Sequence, residues 1–296
     1  MAFRSGFVTI IGRPNVGKST LLNLLTGEKI AIMSDKPQTT RNTIKTIVTT
    51  NDYQIVFMDT PGMHRPKNKL GDYMQKSAIT TLDDVDVILY IVEATDKTIG
   101  PGDLKIIELL KDSKTPIILL INKVDLVEKQ NILPLIDQYS KVMNFEQIIP
   151  ISALNSETKD LVLKETAKLL PEGQPYYPED MLTDQPEKVL VQEIIREKIL
   201  HLISEEIPHG IGVEVILFKE KQDSDLIEIH ANIYCEKESH KGIIIGKNGD
   251  MLKKIGTLAR QDVENLLDSR VFLKLWVKTK QDWRNSDFLL KELGYK

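Results

Sequence analysis

An eight-residue segment near the N-terminus, GRPNVGKS, has the residue types and spacing of a phosphate-binding loop. It follows the apolar run Phe7–Ile11 and opens the helical segment Thr20–Leu25. In that setting backbone N–H groups surround a β-phosphate, the lysine reaches the β- and γ-phosphates, and the serine ligates Mg²⁺. A chance match would need every position and both flanks to agree. The predicted nucleotide contacts here are Gly12, Arg13, Pro14, Asn15, Val16, Gly17, Lys18, Ser19 and Thr20.

A carboxylate that could hold Mg²⁺ follows the apolar run Ile55–Met58. Ligands of open α/β sheets bind at the carboxyl ends of the strands, which places Asp59 beside the phosphate loop. The Gly62 N–H can approach a γ-phosphate because glycine has no side chain. Alone, DTPG would more often be an ordinary turn, and its position after a phosphate loop favours the functional interpretation. The predicted contacts are Asp59, Thr60, Pro61 and Gly62.

The polar segment Gln38–Arg41 lies between these motifs and carries two threonines. A threonine hydroxyl there would complete the Mg²⁺ shell when GTP is bound. We favour Thr40 over Thr39, and a surface loop with spare threonines is the alternative. The predicted metal ligands are Ser19, Thr40 and Asp59, and the predicted catalytic residues are Lys18 and Thr40.

The tetrapeptide NKVD follows the apolar run Ile117–Ile121 and decides between guanine and adenine. The Asp125 carboxylate can accept hydrogen bonds from guanine N1–H and the 2-amino group, whereas adenine offers neither donor. A site built for such a pair rejects the analogue that lacks it by ~10⁴. Lys123 would pack over the ring and Asn122 would brace the loops, and a backbone N–H of the later Ser-Ala pair fits guanine O6. The predicted contacts are Asn122, Lys123, Val124, Asp125, Ser152 and Ala153.

Met63 occupies the position where many small GTPases carry a glutamine that orients the attacking water. Hydrolysis must then rely on positioning and charge, so we expect slow intrinsic turnover. Arg41 or Arg65 could swing inward as an arginine finger. Alternatively, Asn15, phosphate oxygens and carbonyls of the Ile30–Asn42 loop could coordinate a potassium ion that supplies this charge. A role for Asn15 in capping its own loop is the other interpretation.

In the last third of the chain, the tetrapeptide GKNG joins an isoleucine run to the helical segment Asp250–Leu267. Such a GxxG loop clamps about four nucleotides of single strand in KH domains. By itself GxxG often merely joins helices, and the basic flanks favour the RNA interpretation. Of the two tryptophans, Trp276 is expected in the core and Trp283 is the better candidate for stacking on bases. The predicted RNA contacts are Lys241, Gly246, Lys247, Asn248, Gly249, Lys253, Lys254 and Arg260.

The elements that must position these residues are visible as hydrophobic patterns. Near-continuous apolar strands alternate with helical segments in the first half, which indicates an α/β domain with a mainly parallel sheet covered on both faces. Thr43–Thr50 alternates more and is expected at a sheet edge. After a proline-rich stretch the order α-β-β-α-α-β indicates an independent α+β fold. We therefore predict a nucleotide-binding domain over 1–172, a linker over 173–187 and an RNA-binding domain over 188–296.

Charge and composition narrow the class of protein further. The 296 residues carry a net charge of −4, yet 240–284 hold ten Lys or Arg against five Asp or Glu, an excess that favours a polyanion site. Chance asymmetry on a solvated face is the alternative. One cysteine, Cys235, fits a reducing compartment, and no apolar run reaches the ~20 residues that span a bilayer. We expect a cytoplasmic location.

The motifs GRPNVGKS, QTTR, DTPG and NKVD, in this order, resemble those of the Era group of translation-related GTPases. The resemblance covers the whole chain, because the second domain is similar to the prokaryotic KH domain that Era proteins carry. It implies a P-loop GTPase domain followed by a KH domain, and a hydrophobic residue at the position of Met63.

The resemblance also implies partners. They are GTP and GDP with Mg²⁺, the single-stranded 3′ end of small-subunit ribosomal RNA, the maturing small ribosomal subunit, and a peripheral contact at the inner face of the cell membrane. We expect a monomer. Two alternatives remain open: an RNA-binding scaffold that binds GTP without meaningful turnover, and a GTPase whose second domain binds protein.

Overall fold

The computed structural model describes residues 2–28, 31–32, 39–41, 44–62, 66–203, 207–221 and 225–295. The chain divides into two units. The first comprises Met1–Pro66 and Met74–Asp184, and the second comprises Lys67–Tyr73 and Gln185–Lys296. The first unit contains two hydrophobic clusters and the second contains one among the described residues.

The first unit is built on a six-stranded sheet with the order β2-β3-β1-β4-β5-β6. All neighbouring strands are parallel except β2, which pairs antiparallel with β3 at the edge. The mostly parallel sheet and the edge strand expected at Thr43–Thr50 are therefore confirmed. The strands are β1 (Arg4–Ile11), β2 (Ile44–Thr49), β3 (Tyr53–Asp59), β4 (Val87–Glu93), β5 (Ile117–Asn122) and β6 (Gln147–Pro150).

Helices cover both faces of this sheet, which is why the central strands are apolar along their whole length. One hydrophobic cluster joins α1 and α5 to one face, and a second joins α3 and α4 to the other. β5 is buried at every position. The helices are α1 (Lys18–Thr26), α2 (Lys69–Asp83, of which Met74–Asp83 lie in this unit), α3 (Pro101–Leu110), α4 (Ile132–Val142) and α5 (Glu157–Leu169).

The proline-rich segment after α5, which belongs to the first unit as far as Asp184, is hydrogen-bonded to β2 and β3. The buried Gln54 side-chain oxygen accepts from the N–H groups of Tyr176 (2.7 Å) and Tyr177 (3.0 Å), and its amide donates to the Tyr177 carbonyl at 2.9 Å. Further along, the Ile47 N–H donates to the Leu182 carbonyl at 2.8 Å. Prolines interrupt the hydrophobic periodicity of a segment whether or not it packs on the rest of a domain. The pattern that predicts a linker over 173–187 therefore does not reveal its hydrogen bonds to Gln54 and Ile47.

The second unit has the element order α-β-β-α-α-β, as expected, followed by a short last helix. Its sheet has the order β7-β8-β9, with β7 antiparallel and β9 parallel to β8. Helices α6 and α8 pack on one face of it. None of the described helices is long and apolar enough to cross a membrane. The elements are α6 (Glu187–Leu202), β7 (Gly212–Glu220), β8 (Leu226–Cys235), α7 (Glu238–Ile245), α8 (Asp250–Leu267), β9 (Arg270–Thr279) and α9 (Asp287–Glu292).

Candidate nucleotide and nucleic-acid sites

In the loop between β1 and α1, Gly12 and Gly17 occupy positions that leave no space for a side chain. Gly17 precedes α1 with a φ of 104°, and Asn15 also has a positive φ of 67°. A Cβ on Gly17 would lie 2.3 Å from the Asn122 amide nitrogen, and one on Gly12 would lie 2.4 Å from the Ile91 carbonyl oxygen. Any side chain at either glycine would therefore displace the loop from its neighbours.

Lys18 is the first residue of α1, and its side chain is buried. The ammonium donates to the carbonyl oxygens of Gly12 (3.2 Å) and Arg13 (2.7 Å). Burial lowers the pKa of Lys18 to about 8, although the nearby Asp59 carboxylate raises it. A Cβ on Gly62 would lie 3.1 Å from the ammonium. The cation is therefore held between the phosphate loop and the segment that follows β3.

The three side chains predicted to ligate a metal meet beside the start of α1. Thr40 Oγ1 donates to Asp59 Oδ2 at 3.1 Å and lies 3.2 Å from Ser19 Oγ. Asp59 is fully buried, and Thr40 is nearly so. Thr40 thus links a second hydroxyl and a carboxylate, and all three are hard oxygen donors of the kind that Mg²⁺ binds. Next to them, the buried Thr60 hydroxyl donates to the Ile10 carbonyl at 2.9 Å and attaches this segment to β1.

Asn122 joins the phosphate loop to the segment after β6. Its buried Nδ2 donates to the Val16 carbonyl at 2.8 Å, and its Oδ1 accepts from the Ala153 N–H at 2.9 Å. Both ends of one buried amide are therefore used to fix two loops. The Ala153 N–H, a candidate donor to guanine O6, is engaged by this bond. The Ser152 carbonyl accepts from the Thr158 hydroxyl at 2.8 Å, which ties the segment to α5.

Lys123 and Asp125 occupy the tight turn after β5. Lys123 has a positive φ of 66°, donates to the Asn15 carbonyl at 3.0 Å and forms an ion pair with Glu93. Asp125 is exposed in the following helical turn, where its carboxylate is accessible to a base. The sequence patterns did not identify Glu93. Its place as the last residue of β4, at the carboxyl edge of the sheet, is the signal that could have found it.

The Arg13 side chain forms ion pairs with two acidic residues. It forms an ion pair with Asp96, and its Nε lies 2.8 Å from Asp103 Oδ2 in α3. Asp103 is fully buried and accepts from the Tyr90 hydroxyl at 3.0 Å. Burial raises the pKa of the Asp103 carboxyl, although Arg13 opposes the shift. Arg13 therefore anchors the phosphate loop through its side chain and contacts Lys18 through its carbonyl, a division that the motif does not reveal.

Of the residues that could supply a compensating catalytic charge, the structure describes Arg41 but not Arg65. Arg41 is 1% exposed, so its guanidinium is enclosed by the first unit rather than displayed at the surface. Met63 and Arg65 lie outside the described residues, and so does most of the Ile30–Asn42 loop.

In the second unit, α7 and α8 are joined by the GxxG loop. Gly246, Asn248 and Gly249 have positive φ values of 74°, 54° and 84°. A Cβ on Gly246 would lie 2.7 Å from Met251 Cβ. Lys247 and Asn248 are exposed at the tip. The backbone therefore permits close approach of a polymer while the lysine charge faces solvent.

A groove of about 450 Å³ continues from this loop between α8 and β9. Apolar and cationic side chains alternate around it, which suits a single strand because bases stack on apolar surface while phosphates meet cations. Its lining includes Leu252, Lys253, Thr257, Arg260, Lys274 and Leu275.

The predicted RNA contacts are only partly brought together in this groove. Lys253 and Arg260 line it, whereas Lys241 lies 3.6 Å from Glu238 within α7 and Lys254 is exposed outside the lining. The contribution of β9 was missed, because its alternating pattern indicates only a half-buried strand. Lys274, on this strand, is the added cation.

The two tryptophans have environments opposite to those expected. Trp283 is fully buried, its indole N–H donates to the Gly210 carbonyl at 2.9 Å, and its ring stacks on Tyr295 at 6.2 Å. Trp276 is partly exposed on β9. The expectation that Trp283 stacks on bases is therefore wrong. The segment after β9 folds back onto the start of β7, a long-range contact that local pattern cannot disclose.

Comparison with known protein families gives two matches. A family model of 50S ribosome-binding GTPases matches residues 7–123, and a KH-domain model matches residues 206–284. The chain is 60% identical to the GTPase Era of Ruminiclostridium cellulolyticum over all of this chain and 99% of that protein. It is 57% identical to the GTPase Era of Alkaliphilus metalliredigens, with 100% of both chains covered.

Two solved structures are similar to this chain over nearly its whole length. One is a single-residue variant of Aquifex aeolicus Era bound to GDP·AlF4⁻, with a TM-score of 0.95 and 42% identity over 99% of each chain. The other is Era in complex with MgGDPNP and nucleotides 1506–1542 of 16S ribosomal RNA, with a TM-score of 0.94 and 41% identity over 99% of each chain.

Proposed function

The chain belongs to the Era family of GTPases, and on that premise we propose that it is a GTP-driven switch that binds the 3′ end of small-subunit ribosomal RNA during maturation of the small ribosomal subunit. One observation carries the proposal: a single chain combines the Lys18, Thr40 and Asp59 cluster with an exposed GxxG loop. The RNA target is carried over from the related complex with 16S ribosomal RNA.

GTP hydrolysis is the activity of the first unit, and its chemistry follows from the residues at the sheet edge. Ser19, Thr40 and Asp59 would hold Mg²⁺, which when bound neutralises charge on the β- and γ-phosphate oxygens. Lys18 brings a second positive charge to the same place. At Gly62 the lack of a side chain lets a γ-phosphate oxygen approach the backbone. Transition-state charge is thus stabilised by preorganised groups rather than by a proton acceptor.

Guanine selection is assigned to Asp125. The Asn122 bridge fixes the loops on both sides of the base position, so the carboxylate is presented without having to be ordered by the ligand. Both hydrogen bonds of Asp125 go to donors that adenine lacks.

A potassium ion is proposed as the charge that replaces an arginine finger. Asn15 belongs to the phosphate loop, has a positive φ, and accepts a hydrogen bond from Lys123 through its backbone carbonyl. Its side-chain amide oxygen is of the kind that coordinates cations in proteins. Such a finger accelerates hydrolysis by ~10³–10⁵, so partial replacement is measurable. Hydrolysis should be faster in potassium than in sodium salts at constant ionic strength, and Asn15→Ala should lose the difference. Equal native rates in both salts would reduce Asn15 to a loop-capping residue.

RNA binding is tested at the loop tip. Lys247→Asp combined with Asn248→Asp adds negative charge where phosphates are expected, so filter binding of a 3′-terminal ribosomal RNA oligonucleotide should weaken strongly while GDP affinity is unchanged. Lys111→Asp with Ser113→Asp is the matched control, because it makes the same change in charge at exposed positions of the first unit. RNA affinity equal to that of the parent in the loop variant would favour a protein partner for the second unit.

Phosphate release with and without this RNA tests the switch itself. We expect slow release alone and faster release with RNA. Absence of release in both conditions would favour an RNA-binding scaffold without turnover.

Three further properties are proposed from the family resemblance. A monomer is expected in size-exclusion chromatography, a cytoplasmic location in cell fractionation, and a peripheral membrane contact in co-sedimentation with vesicles of anionic lipids.

A further inference from the structure

Asn23, on α1, binds the backbone of the segment that follows this helix. Its Nδ2 donates to the Ala31 carbonyl at 2.7 Å, and its Oδ1 accepts from the Ala31 N–H at 2.9 Å. One side-chain amide thus pairs with both backbone groups of a single residue, as a residue on a neighbouring antiparallel strand does. We name the pair of Asn23 and Ala31 the amide clamp.

The amide clamp attaches this segment to the core of the first unit. Ala31 is 1% exposed and belongs to the hydrophobic cluster that also contains the buried leucines of α1. The next residue, Ile32, is buried as well. Truncation of Asn23 would leave two backbone groups of a buried residue without this partner, and such groups are costly away from water. The attachment of the segment at Ala31 therefore depends on this one side chain.

The same stretch of chain leads from the amide clamp to the predicted metal ligand Thr40, which follows Ala31 by nine positions. The Thr40 hydroxyl donates to Asp59 and lies beside Ser19, in the cluster predicted to hold Mg²⁺. A threonine in this place is expected to ligate the metal when GTP is bound and not when GDP is bound. Because the chain is continuous, a fixed residue at position 31 limits where position 40 can lie.

We propose that Asn23 is a positioning residue for GTP recognition, because fixing Ala31 reduces the conformational entropy that the chain loses when Thr40 reaches the metal. A chain attached closer to Thr40 has fewer arrangements available before GTP binds. The inference rests on the proposed GTPase function and adds a residue outside the predicted nucleotide contacts. It predicts that binding of GTP depends on Asn23 and that binding of GDP does not, because GDP does not engage Thr40.

The ratio of two nucleotide affinities tests the amide clamp in the full chain. The probes are GDP and the GTP analogue GDPNP, each titrated in the same magnesium buffer. Asn23→Ala should weaken GDPNP about fivefold or more, because two neutral hydrogen bonds stabilise an ordered segment by at least about that factor. Its GDP affinity should equal that of the parent. Equal weakening of both nucleotides would mean a purely structural role and would overturn the proposal, and so would parental affinity for both.

Thr26→Val is the matched control, because Thr26 lies three residues after Asn23 on α1 and binds the same segment upstream of the amide clamp. Its hydroxyl donates to the Glu28 carbonyl at 3.1 Å and accepts from the Glu28 N–H at 3.3 Å. The variant should bind both nucleotides as the parent does, because Ala31 stays attached. A loss of GDPNP affinity equal to that of Asn23→Ala would contradict a specific role for the amide clamp.

Asn23→Asp provides the test if circular dichroism shows that the alanine variant is unfolded. Aspartate keeps an acceptor for the Ala31 N–H but places a second oxygen opposite the Ala31 carbonyl, so one hydrogen bond is lost. GDPNP affinity should fall while GDP affinity stays parental. Here too, equal weakening of both nucleotides or no weakening of either would overturn the proposal.

A double-mutant cycle with Thr40→Ala tests whether the amide clamp acts through Thr40. Thr40→Ala alone should lower the ratio of GDPNP affinity to GDP affinity, and adding Asn23→Ala should lower it no further, because coupled residues are not additive. Additive losses would overturn the proposal. A parental ratio in Thr40→Ala would remove Thr40 from the metal site, and the role of the clamp with it. A lowered ratio in Thr40→Ala beside a parental ratio in Asn23→Ala would overturn the clamp alone and leave the proposed function intact.

Discussion

The predicted nucleotide site and the proposed RNA surface differ in how their charged side chains are held. Lys18 is buried between two loops and donates to backbone carbonyls, and Asp59 is fully buried. Lys247 and Lys253 are exposed beside a shallow groove. Buried groups in fixed positions recognise one ligand by geometry, whereas exposed cations attract a polyanion through a field that salt screens. Single substitutions should therefore dominate in the first region, and ionic strength in the second.

The largest expected effect is a change of base preference. Asp125→Asn replaces one carboxylate acceptor by a donor, which should reduce GTP affinity and favour xanthosine triphosphate, whose C2 oxygen accepts. A shift in the affinity ratio approaching ~10⁴ is expected from the loss and gain of paired groups. Competition binding with the two nucleotides measures it. Unchanged GTP affinity without any gain for the xanthine nucleotide would remove Asp125 from the base site.

Loss of the buried cation should have the next largest effect. Lys18→Ala removes a charge-assisted contact worth about 1.5–3 kcal/mol, so GTP affinity should fall by about 10- to 150-fold. Isothermal titration measures the change, and circular dichroism confirms that the variant is folded. A folded variant with near-parental affinity would show that the cluster around Lys18 does not bind phosphate.

Ionic strength should affect RNA binding and nucleotide binding to different extents. For about four phosphate contacts on single-stranded RNA, affinity should fall about fiftyfold between 50 and 200 mM salt. GDP affinity, governed by enclosed groups, should change much less over the same range. Titrations of one protein preparation with RNA and with GDP, at each salt concentration, measure the two affinities. Equal salt dependence for both ligands would mean that burial does not distinguish the sites.

The smallest expected effect is a pH dependence of GTP binding. Burial lowers the pKa of Lys18 to about 8, so the ammonium loses its proton as pH rises through that value. Phosphate oxygens bind the charged form, and affinity should fall about fourfold between pH 7 and pH 8.5. Lys18→Ala is the control for ionisation of guanine itself. An identical pH profile in parent and variant would assign the titration elsewhere.

Much of the fold and of the nucleotide site could be predicted from local pattern. The apolar runs of β4 and β5 indicate a parallel sheet, and the alternation in 43–50 indicates its edge strand. The structure also brings Thr40 to Ser19 and Asp59, as the order of the motifs implies. Contacts made by backbone conformation and strand ends are encoded within a few residues, so sequence spacing is enough to indicate them.

The sequence by itself therefore determined which motifs the chain carries: a phosphate-loop motif, a carboxylate at the end of β3, the tetrapeptide predicted to read the base, and a GxxG loop. Only the tertiary structure decided which side chains those motifs leave free. Arg13 forms an ion pair with Asp103, and Trp283 is fully buried. Trp276 is partly exposed and contacts Lys274. The physical reason is that the burial of a side chain depends on segments distant in the chain, whereas motif spacing records only what neighbours along the chain can do together.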